Sequence, residues 1–327
     1  MATAVESSGR RGALPRWLLV LAVAGMLVLL CGPLVAVLLT REAPKVASNR
    51  MHVGRLPTDV AISGSTVWIA SGRDNRVVSL SARDATAAPV SHSTGRAPLR
   101  VAVGAGSVWT ADAGDNTVTR LDPLVPGSGR RIPIGADAVD VAVGPDGAWV
   151  TNGLRGTVTR IDPISNTVMG PPVRTGNFPS AVAIGANYVW VVNAGDGTVA
   201  RVDPREDVVI GRRVPVGRDP QDIVVGHNSV WVANRGDGTV TRLSAQSGRP
   251  EGAPLRVGGA PCALAVTRDG VLVLDTRNGA VSLIDPVTLQ VRRVADVRGF
   301  PTSLAVGAGS AWVVDARTGT VTRLRGR

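Results

Sequence analysis

Apolar residues alternate with polar or small residues in short runs that return along most of the chain. One such run is DVAV at 140–143, which is followed by a Gly- and Asp-rich turn and then by the run AWV at 148–150. A period of two places alternate side chains on opposite faces of a β-strand, whereas an amphipathic helix needs a period of 3.6. The pattern therefore predicts a protein built from short strands joined by tight turns.

The tryptophans measure the length of the repeat. Six tryptophans and one leucine at the equivalent place follow one another at intervals of 41, 40, 41, 41, 41 and 40 residues. Each of the seven copies has room for four short strands, which is typical of one blade of a β-propeller. The marker residues are Trp68, Trp109, Trp149, Trp190, Trp231, Leu272 and Trp312.

The two ends of the repeat region predict how the ring of blades closes. The seventh copy stops after its third strand, so its fourth strand is missing. The segment Met51–Arg55 begins the sequence MHVGRLPTDVAI, which matches VPVGRDPQDIVV at 214–225, where a fourth strand leads into the next blade. We therefore predict an all-β, seven-bladed β-propeller closed by an N-terminal strand, with the tryptophans between the blades. An open solenoid, the alternative, would leave this segment unpaired.

The consensus of the copies, P-x-D-V-A-V-G-x-x-S-V-W-V-A-N-x-G-D-G-T-V-T-R-I-D-P, resembles the YVTN-type propeller repeats of bacterial surface and periplasmic proteins. It is similar to the repeats of the streptogramin (virginiamycin) B lyase group and of propeller sensor domains attached to actinobacterial Ser/Thr kinases. The resemblance covers residues 51–327 and implies a propeller fold. For the lyase group it also implies a catalytic histidine, an acidic partner and a divalent metal at the mouth of the central channel.

The N-terminal part of the chain has a different composition. Residues 17–39 are 23 residues without a charge, enough for a helix to cross the roughly 30 Å core of a bilayer. We predict a short cytoplasmic N-terminus at 1–16, a transmembrane signal-anchor at 17–39, a linker at 40–50 and the propeller at 51–327. This makes a single-pass protein of the cell membrane, with the propeller on the extracytoplasmic side. A cleaved signal peptide is the alternative, although its apolar region usually has about 7–15 residues.

The charge pattern favours a salt-bridged surface. The formal net charge is +11, which could attract anionic partners, but the arginines are scattered singly through the repeats with aspartates nearby. This disfavours a nucleic-acid interface, which stays the third alternative. The third strand carries an arginine in five copies, and in three an aspartate follows two residues later on the same strand face, so we predict ion pairing within or between blades. The arginines are Arg120, Arg160, Arg201, Arg242 and Arg323, and the aspartates are Asp122, Asp162 and Asp203.

Two rings of residues are expected around one opening of the channel, and they form the candidate ligand site. The first ring stands at the end of each second strand and comprises Ser71, Asp112, Asn152, Asn193, Asn234, Asp275 and Asp315. The second ring stands at the start of each first strand and comprises Asp59, Arg100, Asp140, Ala181, Asp222, Ala263 and Ser303. Such polar groups could bind a cation, a sugar or a polar peptide. Alternatively, the Asx side chains cap their own turns through local hydrogen bonds.

Catalytic signatures are missing from this pattern. The chain has three histidines, His52, His92 and His227, and neither ring contains one, so a histidine base at the mouth is not expected. No cysteine metal pair, G-x-S-x-G sequence or P-loop occurs either. The sequence favours a non-enzymatic, membrane-anchored module, a sensor or scaffold that binds a protein or a small polar ligand without cofactor or metal. The alternative is a metal-dependent lyase or hydrolase of the streptogramin lyase type.

Overall fold

The computed structural model describes residues 48–325 except Ala85 and Ala136. Regular structure in this part of the chain consists of 29 β-strands, which form seven antiparallel sheets. None of these residues belongs to a helix with the length and apolar character that a membrane span requires. The predicted membrane segment, 17–39, lies outside the described residues.

Each sheet is one blade, and its strands pair in chain order. Blade 1 contains β2 (Pro57–Ser63), β3 (Thr66–Ser71), β4 (Arg76–Ser81) and β5 (Val90–Ser93), and blade 2 contains β6 (Pro98–Gly104), β7 (Ser107–Asp112), β8 (Thr117–Leu121) and β9 (Arg130–Pro133). Blade 3 contains β10 (Ala138–Gly144), β11 (Gly147–Asn152), β12 (Thr157–Asp162) and β13 (Thr167–Arg174), and blade 4 contains β14 (Pro179–Gly185), β15 (Tyr188–Asn193), β16 (Thr198–Asp203), β17 (Val208–Val209) and β18 (Val214–Pro215). Blade 5 contains β19 (Pro220–Gly226), β20 (Ser229–Asn234), β21 (Thr239–Ser244) and β22 (Leu255–Arg256), and blade 6 contains β23 (Pro261–Thr267), β24 (Gly270–Asp275), β25 (Ala280–Ile284) and β26 (Val291–Asp296). Blade 7 contains β27 (Pro301–Gly307), β28 (Ser310–Asp315), β29 (Thr320–Arg325) and β1 (Ser48–His52).

The seven blades form a closed ring. The first strand of each blade contacts the first strand of the next, and β27 of the last blade contacts β2 of the first. β1 completes blade 7 by pairing with β29, in a register that places Ser48 opposite Leu324 and His52 opposite Thr320. The predicted seven-bladed, all-β propeller and its closure by an N-terminal strand are confirmed.

The bounds of the closing strand differ from the predicted segment Met51–Arg55, because β1 spans Ser48–His52. The chain leaves the strand at Val53, whose N–H donates to the carbonyl of Gly319 at 2.9 Å. Gly54 follows with φ of 124°, a backbone conformation that favours glycine, and turns the chain towards β2. The match to 214–225 placed the strand too far along the chain by three residues at each end, because the polar residues 48–50 gave no alternation from which its beginning could be read.

Apolar side chains fill the spaces between neighbouring blades. Within the described residues, seven buried clusters occupy these spaces, and six of them contain a tryptophan from a second strand. These tryptophans are at most 2% exposed. The predicted place of the tryptophans between the blades is therefore confirmed, and truncation of such a buried side chain typically costs about 3–5 kcal/mol.

The repeated arginine of the third strand stacks on the tryptophan of its own blade. In five blades the two residues are direct cross-strand partners, as in the pair Trp231 and Arg242, and the guanidinium carbon lies 5.1–5.8 Å from a tryptophan ring centre. Several of these arginines also reach the next blade. Arg160, for example, pairs with Asp207 at 3.1 Å.

The predicted ion pairing within or between blades is found for Arg160, with Asp207 of the next blade, and for Arg242, with Glu251 of its own blade at 2.7 Å. The aspartate two residues after the arginine is not the partner in these pairs. Asp122 and Asp162 each accept, through Oδ1, the N–H of the residue two positions on, Leu124 and Ile164, at 2.8 Å. A spacing of two residues along the strand indicated that the arginine and the aspartate share one face. It did not reveal that the turn after the strand begins at the aspartate. The carboxylate therefore caps the turn, while the arginine covers the tryptophan.

A glycine at the end of the first strand allows neighbouring blades to approach closely. A Cβ added at Gly226 would lie 2.6 Å from Cγ1 of Val266 in the next blade. We expect Gly226→Ala to lower the free energy of unfolding by about 1–3 kcal/mol through overpacking, measured by urea denaturation. Thr267→Ala, at the equivalent position of blade 6 where a side chain is already present, is the control. Equal effects of the two substitutions would contradict the close-approach argument.

Candidate functional site

Two sets of turns lie together on one face of the ring. The turn between the second and third strands of a blade is hydrogen-bonded to the segment that leads into the first strand, as between Gly72 N–H and the carbonyl of Leu56. We call this the mouth face. The base face is the opposite one, formed by the turns between first and second strands and between third and fourth strands. β1 runs towards the mouth face, so Ser48 lies at the base face.

The residues of the first predicted ring are buried. Each is at most 4% exposed, and most donate or accept hydrogen bonds within the turns that follow or precede their strand. These residues are Ser71, Asp112, Asn152, Asn193, Asn234, Asp275 and Asp315.

Asp112 illustrates the role of this ring. Its Oδ2 accepts a hydrogen bond from Thr119 at 2.6 Å and one from the N–H of Gly95, while Oδ1 accepts one from Thr110. Burial raises the pKa of this carboxyl to about 6, against the opposing effect of the two threonine hydroxyls. Asp315 similarly accepts backbone N–H groups through both oxygens. The hydrogen bonds match the turn-capping interpretation of the first ring, and its side chains are not presented to the channel.

The carboxylates of the second ring link neighbouring blades. Asp59, Asp140 and Asp222 each accept, through Oδ2, an N–H from the first strand of the next blade, 42 residues later, at 2.8, 2.8 and 2.6 Å. These aspartates lie within or directly after an irregularity that interrupts the pairing of first and second strands in every blade. Ala181, Ala263 and Ser303 take the corresponding place in three other blades, and Ser303 donates to Asp59.

The residue before each second-ring position also faces the mouth, which the sequence analysis missed. The hydroxyls of Thr58, Ser180 and Thr302 donate to a proline carbonyl at the start of the next blade, at 3.0, 3.2 and 3.4 Å. The repeated P-x-D sequence could have revealed these residues. The bulge at position x turns the side chain of x towards the mouth, in addition to the side chain of the second-ring residue that follows it. Cys262 takes this place in blade 6, and burial raises the pKa of its thiol to about 11.

Arg100 is the cation of the second ring. Its guanidinium lies 3.5 Å from an oxygen of Asp59 and 3.9 Å from one of Asp140, and 22% of its side chain is exposed. Within the described part of the chain it makes these two ion pairs and no hydrogen bond. Burial lowers the pKa of this guanidinium. The opposite effect is larger and holds the pKa above its usual value, because the negative charges of Asp59, Asp140 and Asp222 favour the charged form.

Two carboxyl groups of this ring, those of Asp140 and Asp222, have raised pKa values. Burial raises the pKa of Asp140 to about 6 and that of Asp222 to about 7, and the nearby Arg100 limits both increases. The ring therefore combines an accessible guanidinium with a carboxyl group, that of Asp222, whose neutral form is favoured by burial. Such a ring offers both donors and acceptors to a polar ligand.

A cavity of about 260 Å³ lies above this ring at the mouth of the channel. One part of its wall is apolar, since the ring edge of Phe178 and Cγ2 of Val139 lie against Gly153, where an added Cβ would be 3.3 and 2.9 Å from them. Leu154, the next residue, is 83% exposed. The lining residues are Thr58, Leu99, Arg100, Val139, Phe178, Ser180, Gln221 and Thr302.

Histidines lie elsewhere, and no metal centre is evident between Ser48 and Arg325. His92 is buried against Trp68, with ring centres 5.1 Å apart, and His227 bonds the carbonyl of Thr267 at 2.9 Å. His52 belongs to β1. No group of three or more His, Cys, Asp or Glu side chains in these residues is arranged to hold a metal ion.

Comparison with solved structures identifies relatives in fold. The chain superposes on virginiamycin B lyase from Staphylococcus aureus with a TM-score of 0.76 and 13% identity, over 86% of this chain and 100% of that one. This chain has the fold of that lyase. A catalytically inactive histidine-to-alanine variant of the enzyme, with quinupristin, gives a TM-score of 0.75 at 13% identity, with 86% and 100% covered.

The same fold occurs in a protein of different chemistry. Hydrazine synthase from Kuenenia stuttgartiensis superposes with a TM-score of 0.73 and 17% identity, over 83% of this chain and 96% of that one. No known family model and no curated protein matches the sequence. Because one propeller fold serves unrelated activities, function has to be argued from the residues of the mouth.

Proposed function

We propose that this chain is a membrane-anchored, extracytoplasmic propeller that binds a segment of a partner protein at its mouth face and does not act as an enzyme. The observation that carries the proposal is the cavity above Arg100, which joins a polar floor to an apolar wall. Neither ring around it contains a histidine. A few convergent polar groups in an otherwise apolar cleft are typical of binding sites.

The polar floor suits the main chain of a peptide. The guanidinium of Arg100 is held by ion pairs of 3.5 and 3.9 Å, longer than charge-assisted hydrogen bonds of about 2.7–2.9 Å. Its N–H groups are therefore available to a carbonyl oxygen of the ligand. The carboxyl of Asp222, with a pKa raised by burial to about 7, can remain neutral and avoids repelling that oxygen.

The apolar wall suits a side chain of the same peptide. Phe178 is 43% exposed and Leu154 is 83% exposed. Both lie on the mouth face, and Gly153, which precedes Leu154, lies against Phe178 and Val139. Exposed large apolar residues that gather around a polar cleft are a feature of protein-binding surfaces. A partner segment could bury these side chains while its carbonyl groups meet Arg100.

The anchor is proposed from the uncharged run at 17–39. The chain joins the propeller at Ser48, on the base face, so an anchor preceding this residue would leave the mouth face accessible. The eight residues between 39 and 48 reach at most about 29 Å when extended. The proposed arrangement is a binding module held close to the membrane.

Site-specific photo-crosslinking in native membranes tests the binding proposal. A photoreactive phenylalanine analogue replaces Leu154, on the mouth face, or Ile164, which is 88% exposed in a base-face turn. We expect one covalent product of defined mass from position 154 and none from position 164, because the partner meets only the mouth face. Phe178→Ser in the first variant should lower the yield of that product severalfold.

The two crosslinking positions are matched in chemistry, because both are exposed aliphatic side chains in turns. Equal products at both positions, or no product at position 154, would overturn the proposed mouth-face binding. Extraction of the chain with carbonate, in which an integral membrane protein stays with the lipid, tests the anchor separately. Release of the full chain into the soluble fraction would remove the anchor from the proposal.

Lyase activity is the second candidate, because of the superposition on virginiamycin B lyase. It requires that a residue other than histidine take the role of the base at the mouth. Incubation of the purified chain with quinupristin and Mg²⁺, followed by chromatography and mass spectrometry, separates the two candidates. Conversion of quinupristin that is lost in Asp222→Asn would establish the enzyme and contradict a purely binding role.

A further inference from the structure

The space between blades 6 and 7 differs from the other six. The other six contain a tryptophan of a second strand, whereas this one has Leu272 at the equivalent position. A cavity of about 320 Å³ lies here. It opens on the base face, since Asp269 and Gly309 of the turns between first and second strands contribute to its lining, and it is thus remote from the mouth.

The cavity has a direct cause in the repeat. In blade 5 Trp231 pairs across the strands with Arg242, whose guanidinium carbon lies 5.1 Å from the centre of a tryptophan ring. In blade 6 the equivalent cross-strand pair is Leu272 and Leu283. Both the indole ring and the guanidinium that covers it are therefore replaced by leucine, and the volume they occupy in blade 5 is left open.

The wall of the cavity is aliphatic. It includes Leu272, Leu283 and Val281 from blade 6 and Val306 and Leu324 from blade 7. Val306 is 38% exposed although it belongs to a first strand. Apolar cavities of about 150 Å³ already bind benzene in an engineered protein, so a space of this volume can accept a larger aromatic ring system.

The cavity contains a carbonyl oxygen at the place where three other blades bind the N–H of their tryptophan. In three blades the tryptophan Nε1–H donates to the carbonyl at the end of the first strand, at Gly104, Gly185 and Gly226, over 3.1–3.2 Å. The equivalent carbonyl of blade 6 belongs to Thr267, which lines the cavity. His227 Nε2 lies 2.9 Å from this oxygen, so a bound indole N–H would share the acceptor with this histidine.

We propose that the space between blades 6 and 7 is a binding site for a small, neutral, indole-like aromatic molecule. The ring lies between Leu272 and Leu324, where the tryptophan lies in the other blades, and its N–H donates to the carbonyl of Thr267. The position of the ligand is inferred from the other blades, in which the indole ring of a tryptophan side chain occupies the equivalent space. The site is independent of the mouth face and of the partner proposed for it.

Calorimetric titration of indole into the full chain, purified in detergent, tests this site. We expect saturable binding of one indole per chain. Leu272→Trp restores the residue of the other repeats and fills the site, so saturable binding should be lost. Titration of indene, which has the ring shape without the N–H, should give several-fold weaker affinity because one hydrogen bond is missing.

Blade 5 provides a gain-of-function control. Trp231→Leu with Arg242→Leu copies the blade 6 pair and should raise the number of bound indole molecules from one to two. Circular dichroism confirms that each variant keeps the strand content of the wild type. Absence of saturable binding to the wild type, or unchanged binding to the Leu272→Trp variant, would overturn the proposal. Equal affinities for indene and indole would overturn the role of the Thr267 carbonyl.

Discussion

Removal of β1 should lower the melting temperature of the propeller by about 10 °C. Val53, the residue after this strand, is 3% exposed, and Met51 packs against the same cluster between blades 7 and 1. Loss of both side chains from the cluster costs about 3–5 kcal/mol, and each kcal/mol shifts the melting temperature of a domain of this size by about 2–4 °C. Differential scanning calorimetry measures the change.

The comparison uses two fragments, one that begins at Lys45 and one that begins at Gly54. The longer fragment retains β1 and is the control. In the shorter fragment β29 becomes a free edge, and such edges pair with other chains, so we also expect dimers or larger species in size-exclusion chromatography. Identical melting temperatures and monomeric behaviour of both fragments would show that the ring does not depend on β1.

Arg100→Met should lower the free energy of unfolding by about 3–5 kcal/mol at pH 7.5, because it leaves buried carboxylates without their cation. The loss should be smaller at pH 5. Arg100 limits the pKa increase of Asp140 and Asp222, so its removal raises both pKa values further. Urea denaturation at the two pH values measures the difference.

The sign of this pH dependence follows from the direction of the pKa shifts. Asp140 and Asp222 have folded-state pKa values of about 6 and about 7, above the reference value of 3.8. The folded state binds their protons more tightly, so the stability contributed by these two groups is fully present below their unfolded pKa and is lost as the pH rises through the folded values. Arg55→Met is the control, since Arg55 pairs with Asp74 at the surface with 75% of its side chain exposed. Such pairs contribute about 0–1 kcal/mol, and an equal loss in both variants would contradict the argument.

The sequence predicted the number of blades because one large side chain marks each repeat. A smaller residue at this position leaves a cavity between the blades, as Leu272 does. Tryptophan therefore recurs at this position in the other blades and marks the repeat in the sequence. The partner of the third-strand arginine could not be predicted in the same way. Spacing along a strand identifies residues on one face, but the cross-strand register that brings Arg242 to Trp231 depends on the length of the intervening turn.

The candidate site was predicted only in outline. An aspartate at the end of a second strand, such as Asp315, is equally suited to cap a turn or to face a channel, and the outcome depends on which backbone N–H groups lie within reach. The ring around Arg100 was found because its residues begin the first strands. The raised pKa values of Asp140 and Asp222 could not be read from the sequence, since burial depends on how closely the seven first strands approach one another.

The pairing of Ser48 with Leu324 also has a consequence for biosynthesis. β1 leaves the ribosome before any other strand of the ring, yet its partner β29 is made last. Until then β1 has no native neighbour, and the contact that closes the ring spans almost the whole repeat region, which makes it entropically costly and slow. The nascent chain can assemble blades 1 to 6 in order during translation, whereas blade 7 forms only after synthesis of the final strand.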